Sequence, residues 1–204
     1  MRFIITAADK SALCRQAPEF TAVIKQIDVQ SFDCHDDLFY ALVKSIVGQQ
    51  LSTKAASSIF TQLKEFLGSI SAEALLAASF ADLRACGLSL RKIEYLQGIA
   101  TAKLDGSVDF AALRQKSDQK VIEELTRLKG VGVWTAEMLL IFALGRKNIL
   151  SFKDLGIRRG IMLLYQLDSL NEREFEQYRQ RYSPYGTLAS LLLWRIKDGG
   201  IAVK

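Results

Sequence analysis

Apolar residues along this chain recur at the spacing of a helix. Leu38, Leu42 and Ile46 repeat every four positions, and Phe39, Val43 and Val47 fill the adjacent stripe, which predicts one helix with a broad apolar face. Ile59, Leu63, Phe66 and Leu67 predict a second such face, and Val121, Ile122, Leu125 and Leu128 a third. Met138 to Leu144 is apolar all round, the pattern of a helix covered by neighbours on every side. Gly68, Gly87, Gly106 and Gly145 stand just after periodic segments, and Ser71, Ser79, Ser89 and Ser117 stand where the following helices need an N-cap. These start and stop signals divide the chain into about ten helices. No stretch keeps a period of two between hairpin turns, and only Phe3 to Thr6 is a candidate for a short extended piece. The expected fold class is all-α. There is no internal repeat or long linker, so two lobes, if present, are woven together rather than strung on a tether.

Composition narrows this only a little. With 204 residues, 50% hydrophobic and 24% charged, the chain can bury a substantial core as one domain or as two small lobes. Cys14, Cys34 and Cys86 are odd in number, widely separated and free of C-x-x-C spacing, which argues against a disulfide framework and against a zinc or iron–sulfur site. A reducing, intracellular setting is the expectation. The N-terminus lacks the long apolar core of a signal peptide, and the longest apolar run is too short to span a bilayer, so no membrane association is expected.

Charge changes the picture more. The formal net charge is +5 and the pI about 9.1, which suggests an anionic partner without identifying it. Between Lys129 and Gly160, the basic residues Lys129, Arg146, Lys147, Lys153, Arg158 and Arg159 face only two acids, Glu137 and Asp154. Phosphates are expected there.

The most informative segment is LKGVGVWTAEMLLIFALGR, Leu128 to Arg146. A helix ends, two glycines follow two apart, and a new apolar helix begins. Gly130 and Gly132 supply the positive φ values and close backbone approach that a tight hairpin needs. Such a turn aims the first N–H groups of the next helix, from Val133 onward, outward with the helix dipole behind them, an arrangement that holds a phosphate without reading sequence. An ordinary two-glycine connection between helices has the same local pattern. The hairpin is accompanied, however, by SIVGQQLSTKAASSIF at Ser45 to Phe60, FKDLGIRRG at Phe152 to Gly160, and YSPYGTLASLLLWR at Tyr182 to Arg195.

In order and approximate spacing, these four motifs resemble the helix-hairpin-helix DNA glycosylases, in particular the alkylpurine branch typified by 3-methyladenine DNA glycosylase II. The resemblance covers roughly Asp36 to the end. It implies an all-α fold of two helical lobes with a cleft between them, one lobe over 37–145 and ending in the helix-hairpin-helix, the other combining 1–36 with 146–204. It implies an enzyme that flips an alkylated purine out of double-stranded DNA and hydrolyses its glycosidic bond, acting as a monomer with no obligate protein partner. Two rivals stand beside it: a glycosylase of other base preference, and a noncatalytic helix-hairpin-helix DNA-binding module. The second leaves the FKDLG and SPYGTLA motifs without a purpose.

The resemblance also assigns roles to residues. Asp154 matches the catalytic aspartate, whose carboxylate stabilises the positive charge that develops on the sugar or orients the attacking water. It also stands where an N-cap is needed for LGIRRGIMLLY, and one residue can do both. Trp134 stands where bifunctional relatives carry a Schiff-base lysine, so the enzyme is expected to be monofunctional, without AP-lyase activity. Its ring suits stacking on a cationic base, with burial in the core as the alternative. Met138, Trp194 and Tyr182 complete the expected base pocket, with packing among apolar neighbours as the alternative for Trp194, and Tyr185 stands near the mouth. Gln50 aligns with the residue wedged into the DNA, with Gln49 and Ser52 as substitutes and internal capping as the alternative use of the glutamines. Lys129, Gly130, Gly132, Val133, Arg158 and Arg159 are the backbone-binding candidates, and the basic ones among them otherwise serve as solvated surface charge. No cofactor or side-chain metal site is expected; a monovalent cation on the carbonyls of Lys129 to Gly132 is a feature of the family.

Overall fold

A computed structural model describes residues 1–199. Among them are twelve α-helices: α1 (Ala7–Gln16), α2 (Phe20–Gln26), α3 (Leu38–Gly48), α4 (Thr53–Leu67), α5 (Ala72–Ala77), α6 (Phe80–Ala85), α7 (Leu90–Leu104), α8 (Asp118–Leu125), α9 (Val133–Phe142), α10 (Leu155–Tyr165), α11 (Glu172–Tyr182) and α12 (Gly186–Lys197). A 3₁₀ turn spans Ala112–Gln115. The all-α expectation holds. α5 and α6 have six residues each, too few to repeat an apolar stripe, and in the sequence only their serine caps mark them.

The punctuation does what its chemistry dictates. Ser71, Ser79, Ser89 and Ser117 each accept a hydrogen bond from the backbone N–H three residues on, starting α5, α6, α7 and α8. Gly68, Gly87, Gly106 and Gly145 all carry positive φ, the conformation that stops a helix at little cost only in glycine. The extended piece is shorter than expected: β1 (Arg2–Phe3) pairs antiparallel with β2 (Phe32–Asp33), and Thr6 instead caps α1 in a capping box with Asp9. A two-residue strand leaves no alternation in the sequence to detect.

The chain forms two compact units. One is His35–Leu144, the other Met1–Cys34 with Gly145 onward. In the first, all six residues of the predicted α3 stripe are buried. In α4 the buried residues are Phe60 and Leu63, while Phe66 at the edge of the stripe is 48% exposed. The all-apolar run from Met138 is buried as its composition requires, except Phe142.

The core of the second unit gathers α1, α2 and α10 to α12, with Leu13, Phe20, Ile157, Ile161, Phe175, Tyr182 and Leu193 at its centre. Within it α10 packs directly on α12. A Cβ at Gly160 would overlap the backbone carbonyl of Leu193, so glycine there lets the two backbones touch.

Candidate active site

Asp154 lies at the start of α10, and its side chain is held from two directions. Oδ1 accepts the Ile157 backbone N–H at 2.8 Å, the N-cap bond, and the Trp194 indole Nε1–H at 3.0 Å. Asp154 is buried, with 7% of the residue exposed. Two bonds from rigid donors fix a χ angle that a surface aspartate would leave free. Gly156 makes the second bond possible: a Cβ there would stand 2.9 Å from Trp194 Cδ1 and 3.1 Å from Asp154 Oδ1.

The segment leading to Asp154 is anchored by the SPYGTLAS motif at the start of α12. Thr187 Oγ1 donates to the Arg146 carbonyl at 2.6 Å and accepts the Ile149 N–H at 3.1 Å, and Ser190 Oγ donates to the Ile149 carbonyl at 2.8 Å. Both hydroxyls are fully buried, so each bond also meets the need of a polar atom cut off from water. Gly186 backs directly on Asn148 and Ile149. One helix therefore supplies both the indole that orients the carboxylate and the hydroxyls that hold its approach. The sequence shows the signal, a Thr and a Ser three apart inside an apolar run, but not its target.

In the other unit the hairpin runs from Leu128 into α9. Gly130 has φ +84°, and a side chain there would also collide with the Tyr95 ring of α7. Gly132 departs from expectation. Its φ of −92° and ψ of 172° are open to any residue, and nothing within 4 Å would meet a Cβ. Glycine at this N-cap position puts no side chain over the amide end of α9, and Gly132, Val133 and Trp134 are all exposed. The positive end of the helix faces solvent there.

Beside the hairpin runs the turn that follows α3. Gln49 Nε2 donates to the Gly130 carbonyl at 2.9 Å, and Lys92 Nζ donates to the carbonyls of Val47 and Gln49 at 2.7 and 2.8 Å. Burial holds the Lys92 ammonium below its ordinary pKa. Gln50 is exposed with φ +58°, a left-handed conformation that costs a non-glycine residue roughly 1 kcal/mol. Ser45, Gly48, Gln49, Gln50, Leu51 and Trp134 line a hollow of about 580 Å³. A larger hollow, about 920 Å³, lies along α3 and α4 and is lined by Tyr40, Lys44, Phe60 and Lys64 among others; it contains none of the expected site residues.

These positions sort the expected residues. Trp134 is 40% exposed, so it is not a core tryptophan, and it shares the hollow with Gln50. Met138, one helical turn on, is nearly buried at 9%. Gln49 is tied to the hairpin and the Ser52 hydroxyl caps α4 through the Ala55 N–H, which leaves Gln50 as the wedge candidate that is both exposed and part of the hollow. Tyr182 is corrected: its side chain is fully buried in the unit's core, edge-on to Phe20 at 5.2 Å, with its hydroxyl donating to Tyr165 Oη at 3.1 Å. A ring enclosed in this way is a packing residue and has no face left for a base. Trp194 is partly buried, and its N–H is committed to Asp154.

The two acids of the basic stretch, Glu137 and Asp154, are both buried, whereas Lys129, Lys147, Lys153 and Arg159 are exposed. Surface charge in that stretch is thus more positive than the sequence balance suggests. Arg158 stacks over the Phe152 ring at 4.9 Å, a cation–π contact that holds its guanidinium in place. Carbonyl oxygens are the hard donors a monovalent cation takes, and the turn from Lys129 to Gly132 offers four. The Gly130 and Gly132 carbonyls each accept one hydrogen bond, from Gln49 Nε2 and from the Ala136 N–H, and a carbonyl oxygen has a second lone pair.

Comparison with known proteins identifies the family. Residues 43–184 match the family described as HhH-GPD superfamily base excision DNA repair protein, and the chain belongs to that family. It is 35% identical over 159 residues to DNA-3-methyladenine glycosylase 1 of Schizosaccharomyces pombe, covering 76% of this chain and 70% of the relative. Among solved structures, the 3-methyladenine DNA glycosylase of the same yeast, in complex with abasic DNA, superposes with a TM-score of 0.83 at 28% identity, over 97% of this chain and 99% of that one. The DNA-3-methyladenine glycosidase of Bacillus halodurans gives a TM-score of 0.82 at 34% identity, over 97% and 92%.

Proposed function

We propose that this protein is a monofunctional DNA glycosylase that removes alkylated purines of the 3-methyladenine and 7-methylguanine type from double-stranded DNA, with Asp154 as its catalytic residue. The observation that carries the reading is the doubly anchored, buried carboxylate of Asp154. As the glycosidic bond breaks, positive charge spreads over the sugar, and a carboxylate already oriented stabilises it without reorganising. Alkylation at N3 or N7 makes the purine cationic and hence a good leaving group, so no strong general acid is required.

The other roles follow from chemistry and exposure. Trp134 offers an electron-rich face to a cationic base, and as an indole it has no amine with which to form a Schiff base. Gln50 enters the stack that the flipped nucleotide vacates, offsetting part of an unstacking cost of roughly a few kcal/mol. Lys129, Arg158, Arg159 and the amide end of α9 at Gly132 and Val133 take phosphates. A monovalent cation on the hairpin carbonyls would supply further positive charge at that turn.

The test is direct. Incubated with methylated DNA, the protein releases free 3-methyladenine or 7-methylguanine and leaves an abasic strand intact. Borohydride added during the reaction traps no covalent protein–DNA adduct. Binding to DNA without base release would refute the enzymatic reading, and a trapped adduct would refute the monofunctional one.

A further inference from the structure

We propose that Lys92 is a positioning residue that holds the 48–51 turn in the shape that presents Gln50 to the duplex. The inference rests on the reading of Gln50 as the inserted group. It starts from the end of α3, whose last carbonyls have no partners within the helix and whose dipole draws a cation. Lys92, from the first turn of α7, answers both needs: its ammonium bonds the Val47 and Gln49 carbonyls on either side of Gly48. This takes a charged group partly out of water, as the lowered pKa records.

Gln50 is bracketed as a result. The residue before it is gripped twice, by Lys92 on its carbonyl and through its own side chain on the Gly130 carbonyl, and the residue after it returns its N–H to Gly48 at 3.2 Å. A glutamine at φ +58° would relax to ordinary backbone if its neighbours let go. Relaxation would swing the side chain away from the hollow it shares with Trp134. Lys92 touches neither base nor sugar in this account; it acts through the turn.

The experiment uses a duplex carrying a stable tetrahydrofuran abasic analogue opposite 2-aminopurine, whose fluorescence reports whether its stacking is disturbed. Binding is followed separately by anisotropy, and the fluorescence change is read at saturating protein, where partial loss of folded protein does not alter the amplitude. Wild type is expected to give a large change. Lys92→Met, which keeps the apolar stem and removes the donors, should still bind but lose about tenfold in the fraction inserted, the size expected for charged hydrogen bonds removed. Lys92→Arg, which restores charged donors, should recover part of the amplitude. If the methionine variant does not fold, Lys92→Gln, with a neutral donor, takes its place.

A Lys92→Met amplitude equal to wild type overturns the proposal, as does a loss confined to thermal stability. Gln50→Ala separates the two ideas. An unchanged amplitude in that variant refutes Gln50 as the inserted group, while a reduced amplitude in Lys92→Met still identifies Lys92 as the residue that positions the turn. A wild type that leaves the fluorescence unchanged overturns both, and 7-methylguanine release measured in parallel reports on the glycosylase reading independently.

Discussion

The α10–α12 pair and the hairpin edge both depend on glycine, but for opposite reasons. In the first, Gly156, Gly160 and Gly186 remove side chains so that protein can approach protein, and the outcome is a carboxylate with two fixed donors. In the second, Gly130 permits a turn against Tyr95, while Gly132 faces open space and leaves the amide end of α9 uncovered. One region spends close packing on holding a single charge still. The other keeps polar backbone, an aromatic ring and a strained glutamine exposed. The contrast teaches that a fixed charge is built from the interior outward, whereas an exposed polar edge is built by withholding side chains.

That contrast can be broken at three points, in descending order of effect. Gly160→Ala forces a Cβ into the Leu193 carbonyl, so α10 and α12 must part; a loss of about 1–3 kcal/mol is expected, read as a fall in melting temperature together with impaired base release. Trp194→Phe keeps the packing and removes the indole donor from Asp154. Turnover should fall about tenfold with binding to abasic DNA nearly unchanged, as expected for losing one hydrogen bond to a charged group. Equal losses in turnover and in abasic-DNA binding would mean that Trp194 acts on binding rather than on the carboxylate. Gly132→Ala is the mildest: stability should stay within about 0.5 kcal/mol, because its backbone suits alanine and the space is open. Affinity for abasic DNA should nevertheless weaken by a factor of a few in a titration. Unchanged affinity would remove the amide end of α9 from the contact surface.

Local rules made most of the fold legible. The four serine caps, the glycine stops, the α3 stripe and the span of α10 after Asp154 each depend on a few consecutive residues, and each was foreseeable. What stayed hidden depends on partners distant in sequence. The bond from Trp194 to Asp154 joins residues 40 apart, and that from Lys92 to Gln49 residues 43 apart. Tyr182 shows the same limit from the other side. A tyrosine near a motif looks like a pocket residue, and only the packing of Phe20, Tyr165 and Tyr178 around it reveals a core position. Gly132 differs from its pattern because G-x-G suggests two positive-φ residues, whereas Gly130 alone is left-handed and Gly132 leaves the end of α9 without a side chain over it.

The central claim is that the negative charge of Asp154 drives bond cleavage, and Asp154→Asn tests it with little disturbance to structure. Asparagine is as good an N-cap as aspartate, and its carbonyl oxygen can accept both the Ile157 and Trp194 N–H groups, so these two bonds survive while the charge is lost. Single-turnover release of 7-methylguanine should fall by about a hundredfold or more, with abasic-DNA affinity and melting temperature close to wild type. Release at the wild-type rate by the folded variant would contradict the account.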